Sequence, residues 1–435
     1  MQVTRRKYVW ILCIGWVIFM FSWNLKIFRN NGQSTLQPKS AIRILQFDTD
    51  PFLQTSTQGT YVTVQRSVNV KKQIKDNTTK INDCKRKTNI VFIKTHKTAS
   101  TAVQNILLRY GLHNNLKIAF PKDVHDFGYP QFFSSQSVAK QGSDPYNIVC
   151  HHMRMIYDVL KGFMPKETPF VTIVREPGQL FESTFDYMLG IVPSFQRVPH
   201  HGNTSIEDWL DNAATYMRAA GSSAYGNFAK NSMFFDLGYN NMIDDDQYIE
   251  KALAELTEIF DLVLVSDYFD ESMVLFADLL CWDLEDVACL SLNARSHDND
   301  GNAEIKRARI RGKARLWNKS DAALFDYFNA TLRRKIEEFG MKKMEAAVNR
   351  LKEIRRNLTE TCVEGEGAVD SSKISDLNFK KTIFKPKGVS VASYNLKPGA
   401  EKLDICRQLI ASENTFSREV FNTQRDRLTQ YFWRV

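Results

Sequence analysis

From Asn89 onward, short unbroken apolar runs alternate with segments whose apolar residues recur at helical spacing. "NIVFI" leads into a polar loop and then a stripe of Val103, Ile106, Leu107 and Tyr110 at i, i+3, i+4 and i+7, which predicts a strand and a helix reaching Tyr110. "YNIVC" precedes His151, "FVTIV" precedes Arg175 and a helix through Met188, and "FDLVLV" precedes Ser266 and a helix through Leu280. Strands that are apolar at every position are buried on both faces, so the pattern predicts an α/β head: a central parallel sheet between two helical layers. Further on, Met341, Met344, Val348, Leu351 and Ile354 mark a helix with a core-facing stripe.

The N-terminus has a different pattern. Tyr8 to Leu25 is nearly all apolar and follows Arg5, Arg6 and Lys7, about the length of a membrane helix, with charges that favour a cytoplasmic N-terminus. This predicts a cytoplasmic tail at 1–7 and a transmembrane signal anchor at 8–25. A cleaved signal peptide is the competing reading; no small-x-small site follows the run, and Lys26 and Arg29 suit an interfacial boundary. Residues 26–87, rich in Gln, Thr, Asn and Lys, read as a lumenal stem, and 88–435 as the head, with a polar linker at about 362–378 and a basic, aromatic tail.

A lumenal head agrees with five Asn-x-Ser/Thr sites, at Asn77, Asn203, Asn318, Asn329 and Asn357. Besides Cys13 in the apolar run there are six cysteines, whose pairing the sequence leaves open among fifteen arrangements. The formal charge of +9 fits an anionic substrate, an anionic membrane or nucleic acid alike, and a lumenal location removes nucleic acid as a partner. Of 435 residues, 43% are apolar, enough to bury one large or two medium cores.

The loop after "NIVFI" crowds Lys94, Thr95, His96, Lys97, Thr98, Ser100 and Thr101 together. A strand feeding a helix at the carboxyl edge of such a sheet aims backbone N–H groups and the positive helix end at an anion. The nucleotide triphosphatase form, G-x-x-x-x-G-K-[ST], needs glycines that this loop lacks, so a single terminal anion suits it better than a metal-bridged triphosphate. The plainer alternative makes Thr98 or Ser100 an N-cap and leaves Lys94 and Lys97 solvated. A second strand-loop-helix, "FVTIVREPGQLFESTFDYMLG", places Arg175 at a strand end and Ser183 eight residues on, suited to a second phosphate beside the first.

Together the two segments resemble the sulfotransferases that use 3′-phosphoadenosine 5′-phosphosulfate. The blocks "FIKTHKTAST", "CHHMRM", "VREPGQLFESTFDY", "FFDLGY", "FDESMVLFADLLCWDLEDVACLSLNARS" and "ARLWNKSDAALFDYFNATLRRKIEEFG" resemble, in order, those of the galactose 3-O-sulfotransferase family. They span most of Asn89–Gly340, with a weaker echo in "CRQLIASENTFSREVFNTQ". The resemblance implies a P-loop-like sulfotransferase fold and a single-pass type II Golgi membrane protein. It implies transfer of sulfate to the 3-hydroxyl of a terminal galactose on a galactosylceramide-like glycolipid or a glycoprotein glycan. It places the catalytic lysine at Lys97, the 5′-phosphosulfate loop at Thr98, Ala99, Ser100 and Thr101, and the 3′-phosphate pair at Arg175 and Ser183. Lys94, Thr95 and His96 are read as further residues of the same cradle, with a purely structural role the alternative for Lys94. Thr101 stands where a serine is common, keeping the hydroxyl. Transfer to a glycosaminoglycan, a catalytically silent glycan-binding Golgi protein and a P-loop kinase are the rival readings. A homodimer is compatible with the sequence.

A hydroxyl acceptor must lose its proton. His151 and His152 follow "YNIVC" at the cofactor edge of the sheet; adjacent residues leaving a strand point opposite ways, and the resemblance favours His152 as base over His151. His96 is a further candidate, or packs under the phosphosulfate. Glu176 and Glu182 are acidic alternatives. "IKRARIRGKAR" carries six positive charges and reads as a loop closing over the adenine and 3′-phosphate through Arg311 and Lys313, or as a solvated helix face. The pairs His151-His152 and His200-His201 lack chelating spacing, so no metal is expected.

Overall fold

The computed structural model describes residues 84–432 except 123–124, 200–204, 222, 224, 291–300, 366 and 384–390. All lie in one compact unit, Thr79–Val435. The expected anchor at 8–25, most of the stem, and the sequons Asn77 and Asn203 fall outside the described residues, among which no helix is long and apolar enough to cross a membrane.

Five parallel strands form the central sheet: β1 (Ile90–Ile93), β2 (Ile118–Ala119), β3 (Ile148–Val149), β4 (Phe170–Val174) and β5 (Leu262–Val265), in the order β2-β3-β1-β4-β5. Ile90 registers with Ile148, Val91 with Phe170 and Val171 with Leu262. Every residue of these strands is buried, and because successive side chains point to opposite faces, both faces of the sheet are covered. The chain turns toward β3 after β1 and toward β5 after β4, so the crevice between the carboxyl ends of β1 and β4 is the topological switch point.

The helices that matter here are α1 (Ser100–His113), α2 (Pro177–Met188), α3 (Ser232–Asp236), α4 (Asp246–Ile259), α5 (Phe269–Leu280), α6 (Gly301–Trp317), α7 (Lys319–Phe339), α8 (Met341–Cys362) and α9 (Glu413–Phe432). Helices α2 and α5 end at the residues the pattern predicts. On α8, Met344, Val348, Leu351 and Ile354 are buried as predicted, while Met341 is exposed.

Several features differ from the sequence expectations or add to them. Strand β2 has only two residues, too few to leave a pattern; Gln424 of α9 covers its outer edge, accepting from Ile118 N at 2.8 Å and donating to Ile118 O at 2.9 Å. The head begins before residue 88: Cys84 is bonded to Cys281, Lys87 N donates to Leu280 O at 2.9 Å, and Trp282 Nε1 donates to Lys87 O at 2.9 Å. The segment about 362–378 is no free linker. Cys362 is bonded to Cys406, Val369–Asp370 pairs antiparallel with Ala392–Ser393, and Asp376 caps the helix Leu377–Thr382. Cys150 and Cys289 are buried free thiols. The tail is a helix packed against α1. Asn318 is buried, its Nδ2 donating to Ala314 O at 2.7 Å and its Oδ1 accepting from Asn231 N at 2.7 Å, so this packing leaves no room for a glycan there. Asn329 and Asn357 lie on α7 and α8, and Asn357 is exposed.

Candidate active site

The chain leaves β1 at Lys94 and enters α1 through two left-handed residues, Lys97 (φ 61°) and Ala99 (φ 66°). Side chains with a Cβ pay about 1–3 kcal/mol at such positions, so the glycine-free loop needs internal support. Its hydroxyls supply it. Thr95 Oγ1 donates to Ile173 O at 2.5 Å, Ser100 Oγ donates to Thr95 O at 2.5 Å, and Thr98 Oγ1 sits 2.7 Å from Thr95 Oγ1 and 3.2 Å from Thr95 O. These three hydroxyls, expected to face an anion, are turned onto the loop itself and onto β4. Neither Thr98 nor Ser100 caps the helix: the N-cap position of α1 is Ala99, whose side chain offers no hydrogen bond. The positive end of a 14-residue helix therefore meets the cleft uncapped.

Lys97 lines that cleft with its Nζ 3.6 Å from the centre of the Tyr187 ring on α2. Arg175, leaving β4, donates from Nη1 to Lys97 O at 2.9 Å and so ties the two strand ends across the switch point. Ser183, 7% exposed on α2, faces the same space. The cleft has a volume of about 690 Å³, within the range of small-molecule sites.

The basic segment at 305–315 is part of helix α6, not a loop, because its positions continue a regular helical register. Arg311 borders the cleft and donates from Nε to Glu182 Oε2 at 2.8 Å. Lys313, two residues and about 200° further round the helix, is held away from the cleft wall by Asp211 at 2.6 Å and Glu207 at 3.1 Å. Contact between α6 and α2 requires Gly178: a Cβ there would lie 2.8 Å from Arg311 Cα. Glu176 accepts from Gln179 N at 2.7 Å as the cap of α2, and Glu182 is paired with Arg311, which sets both acidic alternatives in structural roles.

His151 and His152 do point opposite ways. His151 Nε2 lies 3.1 Å from Ser417 Oγ under α9, away from the cleft wall, and burial pushes its pKa down to about 3. His152 lines the cleft. Its Nδ1 lies 3.1 Å from Lys94 O, which can only accept, so Nδ1 carries the proton and Nε2 offers its lone pair to Lys94 Nζ at 2.6 Å. Burial, then the neighbouring His96 and Lys94, hold the imidazole well below its usual pKa and keep it neutral. His96 stacks on His152 at 3.9 Å and 9°, and donates from its backbone N and Nδ1 to Asp236 Oδ2 at 2.8 and 2.9 Å. His96 thus packs beneath the site.

Two participants escaped the sequence reading. Asp236, wholly buried at the end of α3 in "FFDLGY", fixes His96; burial, and then the Asp236 charge, raise the phenol of the cleft-lining Tyr129 well above its usual value. Glu413, the first residue of α9, receives Lys94 Nζ at 3.0 Å on both carboxylate oxygens and Thr101 Oγ1 at 3.1 Å. Burial pushes the Glu413 carboxyl up, but the opposed Lys94 ammonium more than offsets it, so its pKa falls below the usual value. The available signal was an acidic residue inside the last family-like block. Among the described residues no three His, Cys, Asp or Glu side chains are grouped as a metal ion requires.

A sequence model described as galactose-3-O-sulfotransferase matches residues 38–424. The chain is 37% identical to galactosylceramide sulfotransferase of Homo sapiens over 336 residues, 76% of this chain and 77% of that one. It is 35% identical to galactose-3-O-sulfotransferase 3 of Bos taurus over 345 residues, 78% and 79% of the two chains. Galactose-3-O-sulfotransferase 2 of Sus scrofa is 33% identical over 347 residues, 78% of this chain and 84% of that one.

Proposed function

The chain belongs to the galactose-3-O-sulfotransferase family, and from that membership we propose that it moves a sulfuryl group from 3′-phosphoadenosine 5′-phosphosulfate to the 3-hydroxyl of a terminal galactose. The observation that carries this reading is the pairing of two anion sites in one cleft. The uncapped start of α1 with Lys97 faces it from one strand end, and Arg175 with Ser183 from the next. That arrangement suits a nucleotide with phosphate on both sides of its ribose. When bound, the donor supplies a sulfuryl group whose leaving oxygen belongs to a 5′-phosphate.

The residues then divide the work. Lys97 Nζ and the helix end stabilise charge on the leaving oxygen, as preorganised cations and N–H groups do. Arg175 and Ser183 grip the 3′-phosphate, with Arg311 at the cleft edge. His152, neutral and fixed as the Nδ1–H tautomer, takes the acceptor proton on Nε2. Cationic side chains supply the charge that a metal would otherwise bring, so the reaction as proposed needs none. The acceptor we propose is galactosylceramide-like, on the strength of the 37% identical human relative, with a glycan as the second acceptor class. The apolar run Tyr8–Leu25 and the sequons other than the buried Asn318 support a type II protein of the Golgi membrane with a lumenal head.

The test uses the full chain in detergent micelles with radiolabelled phosphosulfate donor and galactosylceramide, lactosylceramide and β-galactosyl oligosaccharides. Label on the galactose 3-hydroxyl is expected, and Lys97→Ala is expected to reduce it by about 10²-fold or more. With heparan chains run as a further acceptor, label on them and none on any galactoside would overturn the acceptor.

A further inference from the structure

Lys94 is 1% exposed, and a buried ammonium must be paired. Its Nζ has two partners of opposite consequence: both oxygens of Glu413 at 3.0 Å, and Nε2 of His152 at 2.6 Å. Because Nδ1 of His152 is committed to Lys94 O, Nε2 is the one lone pair of that ring able to take a proton, and Lys94 occupies it. An acceptor hydroxyl cannot use the base until Lys94 leaves.

We propose that Glu413 is the positioning residue that governs this base: its carboxylate holds Lys94 when Nε2 is released to the acceptor, and balances the two adjacent cations that result. The inference rests on the reaction proposed above. In the transfer, the acceptor O–H bond breaks and its proton goes to Nε2. A bond forms between that oxygen and sulfur, and the bond from sulfur to the 5′-phosphate oxygen breaks, its electron pair leaving with the phosphate beside Lys97. His152 becomes an imidazolium next to the Lys94 ammonium, and Glu413 is the negative charge that contacts this pair.

The placement of Glu413 suits the task. A carboxylate in the first turn of the 20-residue α9 is favoured by the helix dipole, and Thr101 Oγ1 fixes one oxygen from the donor loop at 3.1 Å. Among the described residues, the other charged or titratable groups around His152 are His96, stacked on it with Asp236 behind, and His125, whose ring centre is 5.6 Å away and which pairs with Asp126 at 3.5 Å. Asp236 is committed to His96, so it does not replace Glu413 as the partner of Lys94.

Two substitutions move the same pH limb in opposite directions. Glu413→Gln removes the negative charge, so the base becomes harder to protonate. Its acidic limb in kcat/KM moves to lower pH and kcat falls about tenfold or more, while adenosine 3′,5′-bisphosphate binds as tightly as to the wild type or tighter. Lys94→Met removes the cation beside Nε2, so the limb moves to higher pH. Glu413→Asp, which keeps the charge, retains the wild-type limb and shows that the position tolerates change. All three are measured on the full chain in micelles with galactosylceramide. Glu413→Gln and Lys94→Met leaving the limb at its wild-type pH would overturn the proposal. So would a kcat loss in Glu413→Gln matched by an equal loss of nucleotide binding, the mark of a clamp that only holds the loop. A wild-type chain without turnover would defeat the sulfotransfer reading itself, whereas turnover that is indifferent to Glu413 defeats this inference alone.

Discussion

At the scale of single residues, Lys97, Arg175 and Ser183, which the structure brings to one cleft, were readable because each stands at a fixed offset from a strand end, and a strand end is legible as an apolar run. Thr101 was readable in the same way, but its hydroxyl is bonded to Glu413. Glu413 and Asp236 were not readable in that way. They meet Lys94 and His96 across 319 and 140 residues, and no local pattern records such a contact. The two adjacent histidines lie between these cases: alternation along a strand predicts that they diverge, but not that one lies beneath a terminal helix. That buried position has a measurable consequence. The folded pKa of His151, about 3, lies below the ordinary 6.5, so the folded state binds fewer protons than the unfolded one between these values. The stability this contributes is present above about pH 6.5 and is lost as pH falls toward 3. Thermal unfolding of the wild type and of His151→Asn, followed from pH 7.5 to 4.5, should show the wild-type Tm falling more steeply on acidification. Parallel curves would contradict the assignment.

At the scale of elements, long periodic segments were legible and short or contact-made ones were not. Helices α2, α5 and α8 follow from their apolar spacing, whereas β2 exists because β3 and Gln424 hold two residues extended between them. The basic segment around Arg311 has an ambiguous pattern, since six cations hide the few apolar residues that mark a packed helix, among them Ile310 and Ala314. Its helical state brings α6 against α2 at Gly178, where the missing Cβ is what permits contact. Gly178→Ala would place that Cβ 2.6 Å from Arg311 Cβ and 2.8 Å from its backbone O, and overpacking of this kind costs about 1–3 kcal/mol. Urea unfolding should show the loss as a lower midpoint at an unchanged m-value. An unaltered midpoint would mean that α6 yields freely and that its register against α2 is not fixed by this contact.

At the scale of the whole head, the chain that reads as a linker and a tail after residue 362 turns back to complete what the first half began. It carries the Cys362–Cys406 bond, covers the edge of β2 and delivers Glu413 to Lys94. Its polar composition concealed this, because a helix lying over a finished sheet needs only a narrow apolar stripe; here Phe416 and Val420 provide it. The central claim concerns the first half: one cleft at the β1–β4 switch point holds two phosphate-bearing ends of a single nucleotide. Calorimetric titration of the full chain in micelles with adenosine 3′,5′-bisphosphate and with adenosine 5′-monophosphate tests it directly, since the ligands differ only in the 3′-phosphate. The bisphosphate should bind at least tenfold more tightly, and Arg175→Ala should erase most of that difference while leaving the monophosphate nearly unaffected. Equal affinity of the wild type for the two ligands, or a preference that survives Arg175→Ala intact, would contradict the account.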